Sequence, residues 1–181
     1  MIVFLTTTCL AVFLFYIAYF TKHYRICPSN KALVIYGKGE EGKNLRCVVE
    51  GGALVLPFIQ KCETLSLEVM DSDFELRNFC IKNSEAKVNF RANIVYCIPK
   101  NPRYIMKAAV KILSLTQDEI KRMAKNIIQG QIRNALSNLT LEEIKIDEKN
   151  FIENLKDAID LETFKIGIGI EYINIKELEI I

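Results

Sequence analysis

The 181-residue sequence has no tryptophan and only one histidine, His23. A single histidine argues against a histidine-based metal site and against a Ser–His or Cys–His catalytic pair. No two of the six cysteines are closer than 15 residues, so the close pairs of zinc knuckles and redox motifs are missing. We therefore expect no enzyme activity, no metal, no cofactor and no small-molecule substrate. The cysteines are Cys9, Cys27, Cys47, Cys62, Cys80 and Cys97.

The net charge is also small, because 24 Lys and Arg residues nearly balance 22 Asp and Glu residues and leave +2 at pH 7. That value is too small to suggest a partner made of nucleic acid. The distribution is uneven: residues 1–139 carry a net +8 and residues 140–181 a net −6. A basic first part would favour an anionic membrane surface, although ordinary solvated surface explains the same pattern.

The first 21 residues contain no Asp, Glu, Lys, Arg or His. In a helix they would reach about 30 Å, the thickness of the hydrocarbon core of a bilayer. The sequence therefore predicts a membrane anchor over 1–21, a juxtamembrane linker over 22–31 and a folded domain over 32–181. The anchor residues are Ile2, Phe4, Leu10, Phe13, Phe15, Ile17 and Phe20.

A cleaved signal peptide is the competing interpretation of this segment. It would need a basic residue before the apolar stretch and a small-residue cleavage site, and Ala18-Tyr19-Phe20 is a poor one. Lys22 and Arg25 directly follow the apolar stretch, so the positive-inside rule places the domain in the cytoplasm, at the cell membrane. Either a single spanning helix or a re-entrant hairpin satisfies these observations.

The body begins with strand-like patterns. Ala32 to Gly37 is apolar, and Gly37, Gly39 and Gly42 then have the spacing G-x-G-x-x-G. No helical pattern follows these glycines, which favours a hairpin over a nucleotide site. Next, Gly51-Gly52 separates two short strands, and alternation predicts further strands at Glu63–Asp71 and Lys87–Ile98.

Three carboxylates, Asp71, Asp73 and Glu75, lie at the end of the predicted strand Glu63–Asp71 and just after it. Alternate residues of a strand share a face, so a metal cluster is conceivable there. No glycine-turned loop accompanies them, and we expect a solvated turn instead.

Helical patterns take over after Pro99 and Pro102. Thr116 and Glu119 form a capping box in front of a long amphipathic helix, and Thr140–Glu143 is a second one. Another helix pattern covers Phe151 to Ile159, and a closing strand with a bulge at Glu171-Tyr172 ends the chain. The order predicts an α+β fold, in which an antiparallel sheet packs with helices.

Several stretches resemble the flotillins, within the wider stomatin/prohibitin/flotillin group of SPFH or band 7 proteins. These stretches are CPSNKALVIYGKG, VVEGGALVLPFIQKCETLSLEVM, KVNFRANIVYCI, QDEIKRMAKNIIQGQIRNALSNLTLEEI and GIEYINIKEL. They run in the family order over Pro28 to Leu178. The resemblance implies an SPFH/band 7 domain over 32–181 behind the N-terminal membrane helix. It also implies that the Gly51-Gly52 segment is a structural corner near the membrane.

The resemblance implies further sites and a function. Pro57, Phe58 and Ile59 would contact the bilayer, and Cys27 would be a site of acylation if it were modified at all. The expected function is a membrane-anchored scaffold that organises membrane microdomains and associated proteins without catalysis. It would form homo-oligomers, or hetero-oligomers with related SPFH proteins. The alternative is a stomatin- or prohibitin-like regulator of a membrane protease or channel.

Flotillins usually continue into a long coiled coil rich in alanine and glutamate. This sequence stops at Ile181, soon after the predicted closing strand. Two explanations stay open: a truncated form, or a short family member without the coiled-coil stalk.

Overall fold

The computed structural model describes residues 2–37, 45–80, 87–138 and 148–180. The chain divides into two compact units, Met1–Ser66 and Leu67–Ile181. The boundary falls inside the range 32–181 that the sequence assigns to one domain. Two of the predicted features, the residues of the glycine loop after Gly37 and the second capping box at Thr140–Glu143, lie outside the described residues.

The described residues of the first unit form one helix and five strands. Its helix, α1, packs no apolar stripe against a core: the described apolar side chains along it are exposed. The elements are α1 (Ile2–His23), β1 (Tyr24–Ile26), β2 (Lys31–Gly37), β3 (Arg46–Val48), β4 (Gly52–Leu54) and β5 (Gln60–Ser66). The strands form an antiparallel pair, β1-β4, and an antiparallel sheet in the order β3-β2-β5.

Among the described residues, no helix combines the length and the apolarity that crossing a bilayer requires. The single N-terminal anchor over 1–21 stays a prediction.

The two adjacent glycines form the predicted structural corner. Gly51 has a φ of 81°, a left-handed conformation that a side chain would strain. A Cβ at Gly52 would lie 2.6 Å from the ring carbon Cζ of Tyr24 and 2.8 Å from the carbonyl oxygen of Arg25. The corner turns the chain from one sheet to the other, because β3 pairs with β2 whereas β4 pairs with β1.

The second unit is an antiparallel sheet, in the order β6-β7-β8, combined with helices, and the α+β class is therefore confirmed. Strand β7 alternates as predicted, with buried Val88, Phe90, Ala92, Ile94 and Tyr96. The elements are β6 (Met70–Cys80), β7 (Lys87–Cys97), α2 (Pro102–Ile112), α3 (Gln117–Asn138), α4 (Glu148–Thr163), a 3₁₀ turn (Phe164–Ile166) and β8 (Gly169–Ile180).

The helices present the predicted apolar faces. In α3, Thr116 and Glu119 form the capping box: Glu119 Oε2 accepts hydrogen bonds from the backbone N and the hydroxyl of Thr116, both at 2.8 Å. The buried residues of α3 then recur every fourth position, and those of α4 do the same. They are Ile120, Ala124, Ile128, Ile132 and Leu136 in α3, and Phe151, Leu155 and Ile159 in α4.

The predicted strand Glu63–Asp71 is two strands, because β5 ends at Ser66 and β6 begins at Met70. The predicted turn at Asp71, Asp73 and Glu75 was also wrong. These residues lie on the exposed face of β6, and the buried residues between and after them continue the alternation of one long strand.

Asp73 accepts a hydrogen bond from Lys176 Nζ at 2.9 Å and one from Asn93 Nδ2 at 3.1 Å. These two bonds, Lys176 first, lower the pKa of the Asp73 carboxyl. The carboxylate therefore joins all three strands across the face of the sheet.

The closing strand is shorter at its start than the isoleucine alternation predicts. Residues 164–166 form a 3₁₀ turn that ends at Gly167 with a φ of 80°, and β8 begins only at Gly169. The bulge at Glu171-Tyr172 is confirmed, since Val95 lies opposite Tyr172 and Tyr96 opposite Ile170. A second bulge, at Lys176, was not predicted.

Candidate functional site

A tight turn in the first unit displays apolar side chains to solvent. The Leu56 carbonyl accepts hydrogen bonds from the backbone N of Ile59, at 3.2 Å, and of Gln60, at 2.8 Å. The Gln60 side-chain oxygen accepts from the Leu56 N at 3.1 Å and closes the turn. Phe58 at its tip is 92% exposed, and Pro57 and Ile59 are exposed beside it. Three adjacent apolar residues, Pro57, Phe58 and Ile59, are therefore exposed together at this turn.

Helix α1 carries further exposed apolar side chains in the same unit. Of the predicted anchor residues, those whose side chains the structure describes are all exposed: Phe4, Leu10, Phe13, Phe15, Ile17 and Phe20. The side chain of Ile2 lies outside the description. Tyr24 and Ile26 of β1 extend this exposed apolar surface beyond the helix.

The end of α1 and the segment that leads into the turn are joined by backbone hydrogen bonding. The His23 carbonyl accepts a hydrogen bond from the Val55 N at 3.0 Å. Strand β1 follows directly, and its pairing with β4 places Arg25 opposite Ala53. The predicted basic residues and the predicted membrane-contacting corner are thereby brought together.

A groove of about 540 Å³ lies where they meet. Lys22, His23 and Arg25 line one part of it, and Pro57 and Gln60 line another. The remaining lining residues are apolar or uncharged: Ile26, Pro28, Leu33, Val55, Cys62 and Thr64. We name this concavity the basic groove. Sequence reasoning missed it because β1 is three residues long, too short for an alternation pattern.

Cys27, the predicted acylation site, faces the backbone. Its Sγ lies 3.0 Å from the Lys31 carbonyl oxygen, 3.3 Å from that of Val48 and 3.4 Å from that of Val49. The Cys27 N donates to the Gly51 carbonyl at 2.8 Å. A thioester would displace the sulfur from these contacts, and acylation of Cys27 stays a prediction that this geometry does not favour.

A second concavity, of about 710 Å³, lies in the second unit, and several of its polar groups are hydrogen-bonded to one another or to the backbone. Asp160 accepts hydrogen bonds from the Tyr104 hydroxyl at 3.2 Å and from the Ile170 N at 3.0 Å. The Cys97 thiol donates to Glu171 Oε1 at 3.1 Å. Burial, reinforced by this carboxylate, raises the pKa of Cys97 to about 12, so the thiol is a poor nucleophile. Within the described ranges, no group of three or more His, Cys, Asp or Glu residues is arranged to hold a metal.

We expect Cys97 to resist alkylation in the folded protein, whereas the exposed Cys80 should react. At pH 8 the Cys97 thiol stays protonated, and its 6% exposure blocks access. Mass spectrometry of peptides after a short maleimide pulse, with and without guanidinium, measures both sites. Labelling of Cys97 as fast as Cys80 without denaturant would contradict the assignment.

The same raised pKa makes stability depend on pH. As the pH rises from about 9 towards 12, the unfolded protein loses the Cys97 proton more readily than the folded protein, and the free energy of unfolding should fall.

The chain matches the family model described as SPFH domain / Band 7 family over residues 25–180. It is 26% identical over 165 residues to a flotillin family inner membrane protein of Synechocystis, covering 88% of this chain and 24% of that protein. It is 25% identical over 171 residues to the flotillin-like protein FloT of Bacillus subtilis, covering 90% of this chain and 33% of FloT. Human flotillin-1 is 22% identical over 152 residues, with 84% of this chain and 35% of flotillin-1 covered.

The chain thus spans about a quarter to a third of the length of these curated relatives. The family match begins at Arg25, within β1. It includes the Gly51-Gly52 corner, the β5 residues that line the basic groove, and residues 67–180 of the second unit. With 156 of the 181 residues inside that match, the chain belongs to the SPFH domain / Band 7 family and is flotillin-like within it.

Proposed function

We propose that this chain is a membrane-associated, flotillin-like scaffold that organises membrane microdomains and the proteins within them and that catalyses no reaction. One observation carries the proposal: the exposed apolar helix α1, the exposed corner at Phe58 and the cations Lys22 and Arg25 occur together in one compact unit. The Synechocystis relative is named as an inner membrane protein, which supports a membrane location for this chain.

Helix α1 is the element that associates with lipid in this proposal. Its 22 residues extend about 33 Å, and the helix has no acidic residue. Full burial of one leucine or phenylalanine side chain is worth about 1.5–3 kcal/mol, and six such exposed anchor residues are described. Lipid insertion therefore removes these exposed apolar side chains from water.

The basic residues set the orientation of that helix. Lys22 and Arg25 follow its apolar part, and each cation near an anionic leaflet contributes about 1 kcal/mol. By the positive-inside rule the domain then lies on the cytoplasmic side of the cell membrane. The corner at Pro57, Phe58 and Ile59 makes a second, shallower contact with the bilayer.

Scaffolding requires more than one chain at the membrane. We propose that the protein assembles with copies of itself or with related SPFH proteins, as its family membership suggests.

Flotation with neutral phosphatidylcholine vesicles tests the proposed membrane association. The protein should float with the vesicles, and Phe13→Asp should reduce its partitioning about 100-fold, because an aspartate in the middle of an inserted helix costs about 2.5–3.5 kcal/mol. Asn126→Asp, at an exposed position of α3, adds the same charge and should float like the original protein. Equal flotation of the Phe13→Asp variant, or no flotation of the original protein, would overturn the proposal.

A further inference from the structure

We propose that the basic groove binds the phosphate of an anionic lipid headgroup. The inference rests on the proposed membrane association and adds to it a specific ligand site. The groove is formed by the last residues of α1, by β1 and by residues of the turn and β5.

The charge of the groove favours an anion. Its lining includes Lys22, Arg25 and His23, and no aspartate or glutamate. In the part of the chain that the structure describes, neither Lys22 nor Arg25 has a carboxylate partner. Burial raises the pKa of the Cys62 thiol, and the positive charge of Arg25 partly opposes that rise. Arg25 therefore acts electrostatically on the floor of the groove, and its guanidinium can bind a phosphate through two parallel hydrogen bonds.

The backbone holds these cations in place. Arg25 lies in β1, opposite Ala53 of β4, and the His23 carbonyl accepts a hydrogen bond from the Val55 N at 3.0 Å. Both contacts join the end of α1 and β1 to the segment that follows Gly51-Gly52. This pairing fixes the backbone at Arg25, so a ligand has to order only the exposed side chains of Lys22 and Arg25.

The other lining residues suit the rest of a lipid headgroup. The side-chain oxygen of Gln60 accepts a hydrogen bond from the Leu56 N, which leaves the NH₂ group of the Gln60 side chain as a donor. Thr64 adds a hydroxyl to the lining. Ile26, Val55 and Pro57 supply apolar walls for the glycerol carbons. A volume of about 540 Å³ lies within the range of small-molecule sites, about 300–1,000 Å³.

The position of the groove favours a lipid over a free phosphate ester. It lies directly at the C-terminal end of α1, where the apolar sequence gives way to charge. If α1 is inserted in a bilayer, this is the depth at which headgroup phosphates occur. A free phosphate ester shares the same chemistry, and the test therefore includes one.

The test compares two kinds of vesicle and two double variants. Vesicles contain phosphatidylcholine alone, or an equimolar mixture with phosphatidylglycerol. The protein should prefer the mixed vesicles by about 30-fold, from two cations near an anionic surface. K22Q/R25Q should lose most of that preference and still float with neutral vesicles. K121Q/R122Q removes the same charge from exposed positions of α3 and should keep the preference.

The outcomes separate the two proposals. Equal losses in both double variants, or an unchanged preference in K22Q/R25Q, would overturn the groove as a headgroup site while α1 insertion stands. Failure of the original protein to bind either vesicle would overturn the proposed function and the groove together. Soluble glycerol phosphate, added at constant ionic strength, has the same phosphate chemistry without a bilayer anchor, so it should displace the protein from mixed vesicles only in large excess over phosphatidylglycerol. Displacement at a glycerol phosphate concentration equal to that of phosphatidylglycerol, with binding to neutral vesicles unchanged, would assign the groove to free phosphate esters and overturn the lipid assignment.

Discussion

Gly167→Ala should destabilise the second unit by about 3 kcal/mol, the sum of two separate costs. Gly167 has a φ of 80°, and a side chain in this left-handed conformation costs about 1–2 kcal/mol. Its Cβ would also lie 2.4 Å from the Ala108 N and 2.4 Å from the Tyr104 carbonyl oxygen, both backbone atoms of α2. Because both atoms belong to the backbone of α2, they can shift only if the helix moves. The overpacking therefore adds about 1–3 kcal/mol to the destabilisation.

Gly130→Ala provides the matched control, with the same change in composition and the opposite expected sign. Gly130 lies within α3, and no atom lies within 4 Å of a Cβ placed there. Replacing an exposed glycine inside a helix by alanine should stabilise it by about 0.5–1 kcal/mol. Scanning calorimetry should show the unfolding temperature lowered by about 10 °C or more for the first variant and slightly raised for the second. An unchanged unfolding temperature in Gly167→Ala would contradict the packing of the 3₁₀ turn against α2.

Phe90→Ala should lower the free energy of unfolding by about 3–5 kcal/mol. Phe90 is 1% exposed and lies on β7, the central strand of its sheet. Truncation to alanine removes buried apolar contacts and leaves a cavity that neighbours on both flanking strands cannot fill. Denaturant titration followed by circular dichroism measures the change. A loss below about 1 kcal/mol would mean that this face of the sheet is not the core.

Phe58→Ala is the same substitution at the opposite extreme of exposure. With 92% of its surface in solvent, Phe58 should contribute within about 0.5 kcal/mol to folding. If the corner contacts the bilayer, the loss of one phenylalanine should weaken vesicle binding by about 10-fold or more. A stability loss like that of Phe90→Ala would show that Phe58 packs inside the protein. Unchanged vesicle binding would show that the turn at Pro57, Phe58 and Ile59 does not contact the membrane through Phe58.

Local patterns were sufficient for most of the second unit. The β7 alternation around Phe90 and the capping box at Thr116 and Glu119 appear in the structure as predicted. The bulge near Glu171 was also predictable, because a one-residue slip in alternation leaves a visible change of phase in the sequence. The α+β class follows from the order of these patterns.

Local patterns failed where the same alternation of apolar and polar residues is compatible with more than one backbone conformation. The isoleucines before Gly169 alternate as in a strand, yet the left-handed Gly167 ends a 3₁₀ turn there. Asp73 was expected in a solvated turn because no glycine-turned loop accompanies the three carboxylates. In the structure it lies on a strand, where Lys176 and Asn93, distant in sequence, stabilise its charge.

The sequence by itself determined most of the helices and strands of the second unit, the apolar faces of β7, α3 and α4, and the uncharged stretch at residues 1–21. These properties depend on residues within one or two turns or pleats of each other. Only the tertiary structure decided that β4 pairs with β1 and β3 with β2, and hence that Lys22 and Arg25 lie beside Pro57 in one groove. The physical reason is that strand pairing is selected by the contacts of the whole fold. Each three-residue strand carries too little pattern to name its partner.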